Sequence, residues 1–174
     1  MYYNGFLALT IDGYIADRYN KVNFLEKYNN IYEDYGYAKY MARQDAIIIG
    51  ANTFNFLVEQ GQQPFGDRKI FILSSNDLTF DEERYPHAKV YSNLSEVIEE
   101  IKLQKFENIH IEGGSLVGNF FYEGLFHELT INIIPELLGE GVPLFIPREL
   151  EKSLVLQVKS VYKYENGLLQ VVYS

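Results

Sequence analysis

The sequence contains no cysteine among its 174 residues, which excludes disulfide bonds, thiolate nucleophiles and cysteine-ligated zinc sites. A chain without cysteine fits a reducing cytoplasm, and we predict that location. Basic residues are also scarce, because 15 Lys and Arg stand against 24 Asp and Glu and give a formal net charge of −9. Such a charge repels a phosphate backbone. We therefore expect no nucleic-acid partner.

Long apolar runs are absent as well. The longest, such as 46–50 and 129–135, fall far short of the roughly 20 residues that a membrane-spanning helix needs. Residues 1–10 also lack the basic stretch and the long apolar segment of a signal peptide. We predict no membrane span, and we expect residues 1–10 to belong to the mature protein.

Apolar residues nevertheless make up 47% of the chain, which is enough for a sizeable core and too much for a disordered tail. The length is somewhat above one domain at the usual scale of about 150 residues, and we predict that 1–174 forms a single domain. The 15 Tyr and 12 Phe residues should mostly fill the core and interfaces.

Apolar, β-prone runs alternate with helical patterns over most of the chain. Ala46–Ile49 is unbroken and ends at Gly50, which is typical of a strand covered on both faces. The sequence predicts strands at 6–10, 46–49, 70–73, 90–91, 108–112 and 129–134, helices that begin at Asn52 or Thr53, at Asn93 and at Ser115, and a closing hairpin of 154–162 and 168–173. The weak periodicity of 14–37 predicts loop and short helix. This order implies an α/β fold with a largely parallel sheet and an antiparallel C-terminal end.

Ligands of α/β sheets bind at the carboxyl ends of the strands, and one such end is rich in glycine. At Glu112-Gly113-Gly114-Ser115 the missing Cβ atoms would let an anion approach the backbone, and the following helix offers free N–H groups. A pyrophosphate would fit there. A tight strand-to-helix turn explains the same residues equally well. The spacing of the glycines does not match the G-x-G-x-x-G dinucleotide fingerprint.

Two further strand ends are candidates for the same ligand. Gly50, Asn52 and Thr53 combine a strand, a glycine and a helix start, and could bind another part of a polyanion. Ser74 and Ser75 follow the strand that ends at Leu73, and their hydroxyls could accept an adenosine or its ribose, although serines here are more often ordinary turn residues.

Titratable side chains define no site by their spacing alone. The three histidines, His87, His110 and His127, lack a short metal-ligand spacing, and we predict no metal site. The carboxylates that could protonate a heterocycle are Asp12, Glu26, Asp34 and Glu112. Most carboxylates simply face water, and the sequence does not show which of these converge.

These strand ends, in this order, resemble the dihydrofolate-reductase-like fold. They resemble most closely the C-terminal reductase domain of the bifunctional riboflavin-biosynthesis deaminase/reductase and its stand-alone relatives. The resemblance runs from about residue 6 to residue 173. Its motifs are L-T-I-D-G-Y-I-A at 9–16, D-A-I-I-I-G-A-N-T-F at 45–54, L-S-S at 73–75, I-E-G-G-S at 111–115, G-L-F-H-E-L at 124–129 and I-P-E-L-L-G-E-G-V-P-L-F at 134–145. The resemblance implies a three-layer sandwich whose mixed, mostly parallel sheet is flanked by helices.

The resemblance also implies a reductase that takes hydride from NADPH and acts on a small heterocyclic substrate. Ala8 and Ile15 would lie near the nicotinamide. The positions implied at the phosphates and the adenosine are Gly50, Asn52, Thr53, Gly113, Gly114, Ser115 and Leu116, with Leu73, Ser74 and Ser75 at the adenosine end. Glu112 matches a family position near the substrate, and Glu112 and Asp12 are the candidate catalytic residues.

Two departures from the family pattern concern the choice of ligand. Ala51 stands where the family usually has an arginine that would pair with a cofactor phosphate, so NADH is an alternative to NADPH. Met41 and the 56–67 stretch also do not reproduce the arginine and the D-x-P-x-x-x-x-R segment that would hold a ribose phosphate.

The leading hypothesis is an NAD(P)H-dependent reductase of a pyrimidine- or pterin-like ring. The nearest named activity is 5-amino-6-(5-phosphoribosylamino)uracil reductase of riboflavin biosynthesis, and dihydrofolate reductase is the alternative. A non-catalytic ligand-binding or interaction domain that retains the fold is the alternative from another class. Relatives of this fold often pair, and the abundance of Tyr and Phe would supply an interface, so we predict a homodimer.

Overall fold

The structure is a computed structural model that describes residues 1–28, 33–61, 65–150 and 152–174. The strands are β1 (Tyr2–Thr10), β2 (Tyr14–Asp17), β3 (Ala46–Gly50), β4 (Lys69–Leu73), β5 (Ala88–Tyr91), β6 (Asn108–Glu112), β7 (Phe126–Ile134), β8 (Gly141–Pro143), β9 (Val158–Lys163) and β10 (Leu169–Tyr173). The helices are α1 (Tyr37–Met41), α2 (Ala51–Glu59), α3 (Leu94–Gln104) and α4 (Gly114–Tyr122), and a 3₁₀ helix spans Asn23–Tyr28.

Most of the strands join one large sheet. Its order is β5-β4-β3-β6-β1-β7-β10-β9, while β2 and β8 pair in a separate two-stranded sheet. The first six strands in this order, β5, β4, β3, β6, β1 and β7, are parallel to one another. Strand β10 is antiparallel to both β7 and β9. This arrangement confirms the predicted mixed, mostly parallel sheet with an antiparallel C-terminal hairpin.

The apolar run of β3 is buried from both sides of the sheet. Successive side chains of a strand point to opposite faces, so Ile48 joins a core cluster with Val97 of α3, whereas Ile47 and Ile49 join another with Phe54 of α2. All five of these side chains have 0% relative exposure. Helices thus cover both faces, which confirms the three-layer α/β sandwich.

One predicted helix start is confirmed and two are wrong. Asn93 caps α3, because its Oδ1 accepts a hydrogen bond of 3.0 Å from the backbone N–H of Glu96. Helix α2 is preceded by Gly50 rather than by Asn52 or Thr53, and α4 by Gly113 rather than by Ser115. In both places the chain passes directly from a strand into a helix, so the glycine at the strand end occupies the capping position.

The sequence did not predict the small sheet of β2 and β8. In it Tyr14 pairs with Pro143, and Ala16 pairs with Val142. The strands are short and widely separated in the chain, so neither has a long alternating pattern. The first strand of the C-terminal hairpin is also shorter than predicted, because it begins at Val158 rather than at residue 154.

Among the described residues, no helix combines the length and the apolar character that crossing a membrane would require.

Candidate functional site

The carboxyl ends of β1 and β6 and the starts of α2 and α4 line a cleft of about 640 Å³. The remaining wall comes from β2, from β8 and from the segment around the 3₁₀ helix. We refer to this space as the cleft. The predicted site residues that line it are Ala8, Ile15, Asn52, Thr53, Glu112, Gly113, Gly114 and Ser115. Strands β1 and β6 and two helix starts meet here, at the edge of the sheet where α/β folds bind ligands, and the assignment of these residues to a ligand stays a prediction.

Two glycines allow the walls of the cleft to approach each other. Gly113 has φ +97°, and a Cβ atom on it would lie 2.5 Å from Thr53 Oγ1. A Cβ atom on Gly114 would lie 1.9 Å from Ile15 Cδ1. Gly113 is required both by its positive φ and by the position of Thr53, whereas a side chain at Gly114 would displace the end of the Ile15 side chain.

The starts of α2 and α4 lack side-chain caps, since the preceding residues are Gly50 and Gly113. The first N–H groups of a helix have no partner within the helix, and they carry the positive end of its dipole. Ser115 is exposed in the first turn of α4 and lines the cleft. The helix starts at Thr53 and at Gly114–Ser115 therefore bring two groups of neutral donors to the cleft, an arrangement that suits phosphate oxygens.

Glu112 lies at the end of a hydrogen-bonded chain of buried groups. Its Oε2 is 2.8 Å from His110 Nε2, and the His110 Nδ1 is 2.8 Å from the Tyr40 hydroxyl. A carboxylate can only accept, so His110 Nε2 carries the hydrogen and Tyr40 donates to Nδ1. Burial, and then the charge of Glu112, raises the pKa of Tyr40 far above its usual value, so its hydroxyl stays protonated.

The end of this chain opens to the ligand space. The His110 side chain is 0% exposed, whereas that of Glu112 is 28% exposed. The Glu112 Oε1 accepts a hydrogen bond of 3.1 Å from the Gly113 N–H. One carboxylate is thus held from behind by His110 and from the side by the following residue, while it lines the cleft.

Asp12 is placed differently, because it does not line the cleft. Its Oδ2 accepts hydrogen bonds from the backbone N–H groups of Leu138 at 3.1 Å and Gly139 at 2.8 Å, and its Oδ1 accepts one from the Thr10 hydroxyl at 2.5 Å. The Thr10 bond and these backbone donors lower the pKa of Asp12. The carboxylate joins the turn after β1 to the loop before β8, and its catalytic role remains a prediction.

The other predicted cofactor residues do not line the cleft. Gly50 and Leu73 are neighbours at the ends of β3 and β4, and Ser75 follows them in the chain. The Ser74 hydroxyl donates to the Asn76 carbonyl at 2.7 Å, as an ordinary turn residue would. Leu116 packs against the core beneath α4.

Sequence reasoning missed several cleft residues that regular spacing could have revealed. Asn55, Phe56 and Glu59 line the cleft and follow the predicted Asn52 at the i+3, i+4 and i+7 positions of one helix face. His110 stands two residues before Glu112 in β6, so the alternation of the strand places both side chains on one face of the sheet. The contribution of Tyr40 carries no comparable signal, because α1 is remote from β6 in the sequence.

His110 and His127 make hydrogen bonds within the fold. His127 Nδ1 accepts a hydrogen bond from the Tyr3 N–H at 3.2 Å, and His110 belongs to the chain behind Glu112. In the part of the chain that the structure describes, no three His, Asp or Glu side chains are grouped as a metal site requires.

Comparison with known proteins places the chain in a family. Residues 2–170 match the RibD C-terminal domain. A Shewanella sp. PV-4 protein, named a candidate riboflavin biosynthesis protein, is 31% identical, with 99% of this chain and 98% of that chain covered and a TM-score of 0.88. The uncharacterized protein YwjB of Bacillus subtilis is 26% identical over 161 residues, which are 91% of this chain and 90% of YwjB.

A more distant relative shares the fold. The diaminohydroxyphosphoribosylaminopyrimidine deaminase/5-amino-6-(5-phosphoribosylamino)uracil reductase of Thermotoga maritima is 11% identical, with a TM-score of 0.71 over 99% of this chain and 56% of that longer chain. The match over residues 2–170 confirms the resemblance found in the sequence motifs, and this chain belongs to the RibD C-terminal domain family.

Proposed function

We propose that this protein is an NAD(P)H-dependent reductase of a pyrimidine- or pterin-like ring. One observation carries the proposal: a single cleft combines two uncapped helix starts, the apolar side chains of Ala8 and Ile15, and the carboxylate of Glu112. Family membership supports the reductase class. Such a site has three requirements: hydrogen-bond donors for the phosphates, an apolar surface for the nicotinamide and a hydrogen-bond acceptor for a polar ring.

The residues at the helix starts fit a dinucleotide cofactor. The turn at Gly113 and Gly114 has no side chains, so a pyrophosphate can approach the first N–H groups of α4, and Thr53 adds a hydroxyl across the gap. Asn52 and Ser115 extend the same polar edge, and Gly50, Leu73, Ser74, Ser75 and Leu116 form its surroundings. When bound, the reduced nicotinamide supplies the hydride.

The protein itself orients the ring and excludes water. Ala8, Ile15 and Ile111 give the cleft apolar walls, and Glu112 holds the polar edge of the substrate. In the proposed reaction a hydride adds to the carbon of a C=N bond in the substrate and a proton adds to the nitrogen. The nearest activity is the reduction of 5-amino-6-(5-phosphoribosylamino)uracil, and dihydrofolate reduction is the alternative substrate assignment.

The preference between NADPH and NADH is part of the proposal. We expect NADPH, as the sequence motifs imply, but the Ala51 position removes a cation that would favour the additional phosphate of NADPH. A non-catalytic binding domain is the competing function, and the same missing cation favours it.

We also propose a cytoplasmic, single-domain homodimer. Strand β9 lies at the edge of the large sheet, and all six of its residues are exposed. An edge strand presents unpaired backbone groups, and Val161 adds an apolar side chain that is 62% exposed. Both features support pairing with a second copy.

Titration with NADPH, and separately with NADH, tests the proposal without a choice of substrate. The nicotinamide fluorescence should change on saturable binding, followed by oxidation of the cofactor at 340 nm when a substrate ring is added. Failure to bind either cofactor would exclude a reductase. Binding without turnover of any pyrimidine or pterin substrate would favour the non-catalytic domain.

A further inference from the structure

Negative charge dominates the cleft. Among the described residues, its charged side chains are Glu59 and Glu112, and no lysine or arginine lines it. The stretches 29–32 and 62–64 and residue 151 contain no basic residue in the sequence either. A phosphate dianion in this cleft would lose hydration without gaining a cationic side chain as a partner.

Two cations outside the cleft, Arg68 and Lys27, are held by specific contacts. The guanidinium of Arg68 donates to the backbone carbonyls of Gln44 at 2.8 Å, Met41 at 2.8 Å and Phe65 at 3.1 Å. The Lys27 Nζ lies 2.7 Å from a carboxylate oxygen of Glu136. Recruiting either cation to a substrate phosphate would break these contacts.

The Glu112 carboxylate retains capacity for a ligand. Each carboxylate oxygen accepts about two hydrogen bonds. One is used on each oxygen, because Oε2 accepts from His110 and Oε1 accepts from Gly113. Both oxygens can therefore accept one more N–H group, and two adjacent N–H groups of a planar ring match this geometry. His110, which is fixed by Tyr40, prevents the carboxylate from turning away.

We propose that the substrate is an unphosphorylated heterocycle whose two adjacent N–H groups bind Glu112. This inference rests on the proposed reductase function and narrows it. The neutral N–H groups at the starts of α2 and α4 serve the cofactor, and the cleft offers a substrate phosphate two carboxylates instead of a cation. The dephosphorylated form of the aminouracil is then preferred to the phosphoribosyl form that the nearest named activity would use.

A matched pair of ligands tests the inference. The probes are 5-amino-6-(ribitylamino)uracil and its 5′-phosphate, titrated by calorimetry into protein saturated with the oxidised cofactor at about 0.15 M and about 0.02 M salt. The unphosphorylated probe should bind at least as tightly, and the disadvantage of the phosphate should grow at low salt because screening is weaker. A phosphate form that binds tenfold tighter would overturn the proposal.

Variants locate the contact. Glu112→Gln should weaken binding of the unphosphorylated probe at least tenfold, whereas Glu99→Gln, the same change on an exposed residue of α3 that does not line the cleft, should alter it less than about twofold. An unchanged affinity in the Glu112 variant would refute the contact. Cofactor binding by the same samples separates the two proposals. If the cofactor binds and neither probe does, the substrate inference is wrong and the proposed reductase function stands. If the unmodified protein binds no cofactor, the proposed reductase function is refuted.

Discussion

Gly113 and Thr53 approach so closely across the cleft that a Cβ atom on Gly113 would lie 2.5 Å from Thr53 Oγ1. The contact joins the start of α4 to α2, and φ at Gly113 is +97°. Both the space and the backbone conformation therefore exclude a larger residue.

Gly113→Ala should weaken NADPH binding at least tenfold, because the added methyl group displaces Thr53 and the backbone from the proposed phosphate site. The positive φ should also cost about 1–3 kcal/mol of unfolding free energy. Fluorescence titration and urea unfolding measure the two effects. Gly124→Ala is the control, since Gly124 has φ +64° with open space around it, and it should lose stability but not affinity. Equal affinity losses in both variants would contradict the assignment.

Tyr40→Phe should destabilise the protein by about 1–3 kcal/mol, because the buried Nδ1 of His110 loses its donor. Urea unfolding gives the change. Tyr162→Phe is the control on an exposed tyrosine of β9 and should change stability by less than about 0.5 kcal/mol. A Tyr40 variant as stable as the wild type would show that water or another group satisfies His110.

Asp12→Asn should reduce stability at neutral pH and have little effect in acid. Hydrogen bonds from Thr10 and from the backbone of Leu138 and Gly139 lower the pKa of Asp12 in the folded state. Its contribution is therefore present above the unfolded pKa of about 3.9 and is lost as the pH falls through the lower folded value. Thermal unfolding of both proteins at about pH 7 and pH 3 should show the gap narrowing.

Asp77→Asn is the control for that comparison, since Asp77 is exposed. It should show no comparable gap at either pH. If the Asp12 gap stayed constant over the whole range, ionisation of Asp12 would not be the cause.

Ala51→Arg should raise the affinity for NADPH relative to NADH by about tenfold, because it restores a cation at the first residue of α2. Ala51→Gln is the control, because it adds a polar side chain without a charge. It should leave the ratio of NADPH affinity to NADH affinity nearly unchanged. Parallel titrations with both cofactors supply the ratio. No change with arginine would mean that this position does not contact a cofactor phosphate.

The proposed homodimer should have twice the chain mass of 20.2 kDa by light scattering. Val161→Lys should convert it to the monomer, because a third lysine would join Lys159 and Lys163 on one face of the β9 edge. Leu103→Lys is the control. Leu103 lies on α3 and is 76% exposed, more than Val161, and its replacement should leave the mass unchanged. A wild-type mass of one chain would refute the dimer.

The sequence was informative where one segment carries the whole pattern. Ile47, Ile48 and Ile49 predicted a buried strand because both faces of β3 are apolar, and Asn93 predicted a cap because its partner lies three residues away. Interactions between distant segments were not predictable in this way. The hydrogen bond between Tyr40 and His110 joins residues 70 positions apart, and no sequence periodicity links the two.

The candidate site shows the same difference between local patterns and contacts of distant segments. Glycines and a carboxylate at strand ends indicated Gly113, Gly114 and Glu112, because strand topology alone places them at one edge of the sheet. The role of Asp12 depends on hydrogen bonds to Leu138 and Gly139, more than a hundred residues away in the chain, which only the folded structure reveals. Local sequence therefore indicated which residues reach this edge of the sheet, whereas the contacts of each side chain depend on the fold.

The two-stranded sheet of β2 and β8 contributes Ile15 and Val142 to the cleft, yet it lies outside the hydrogen-bonded ladder of the large sheet. Replacing these side chains therefore leaves the backbone pairing of the core strands intact. This wall of the cleft can therefore differ between homologous chains without a change in the pairing of β3 and β6, and the cost of a change at Ile15 is confined to its packing against the core and Gly114.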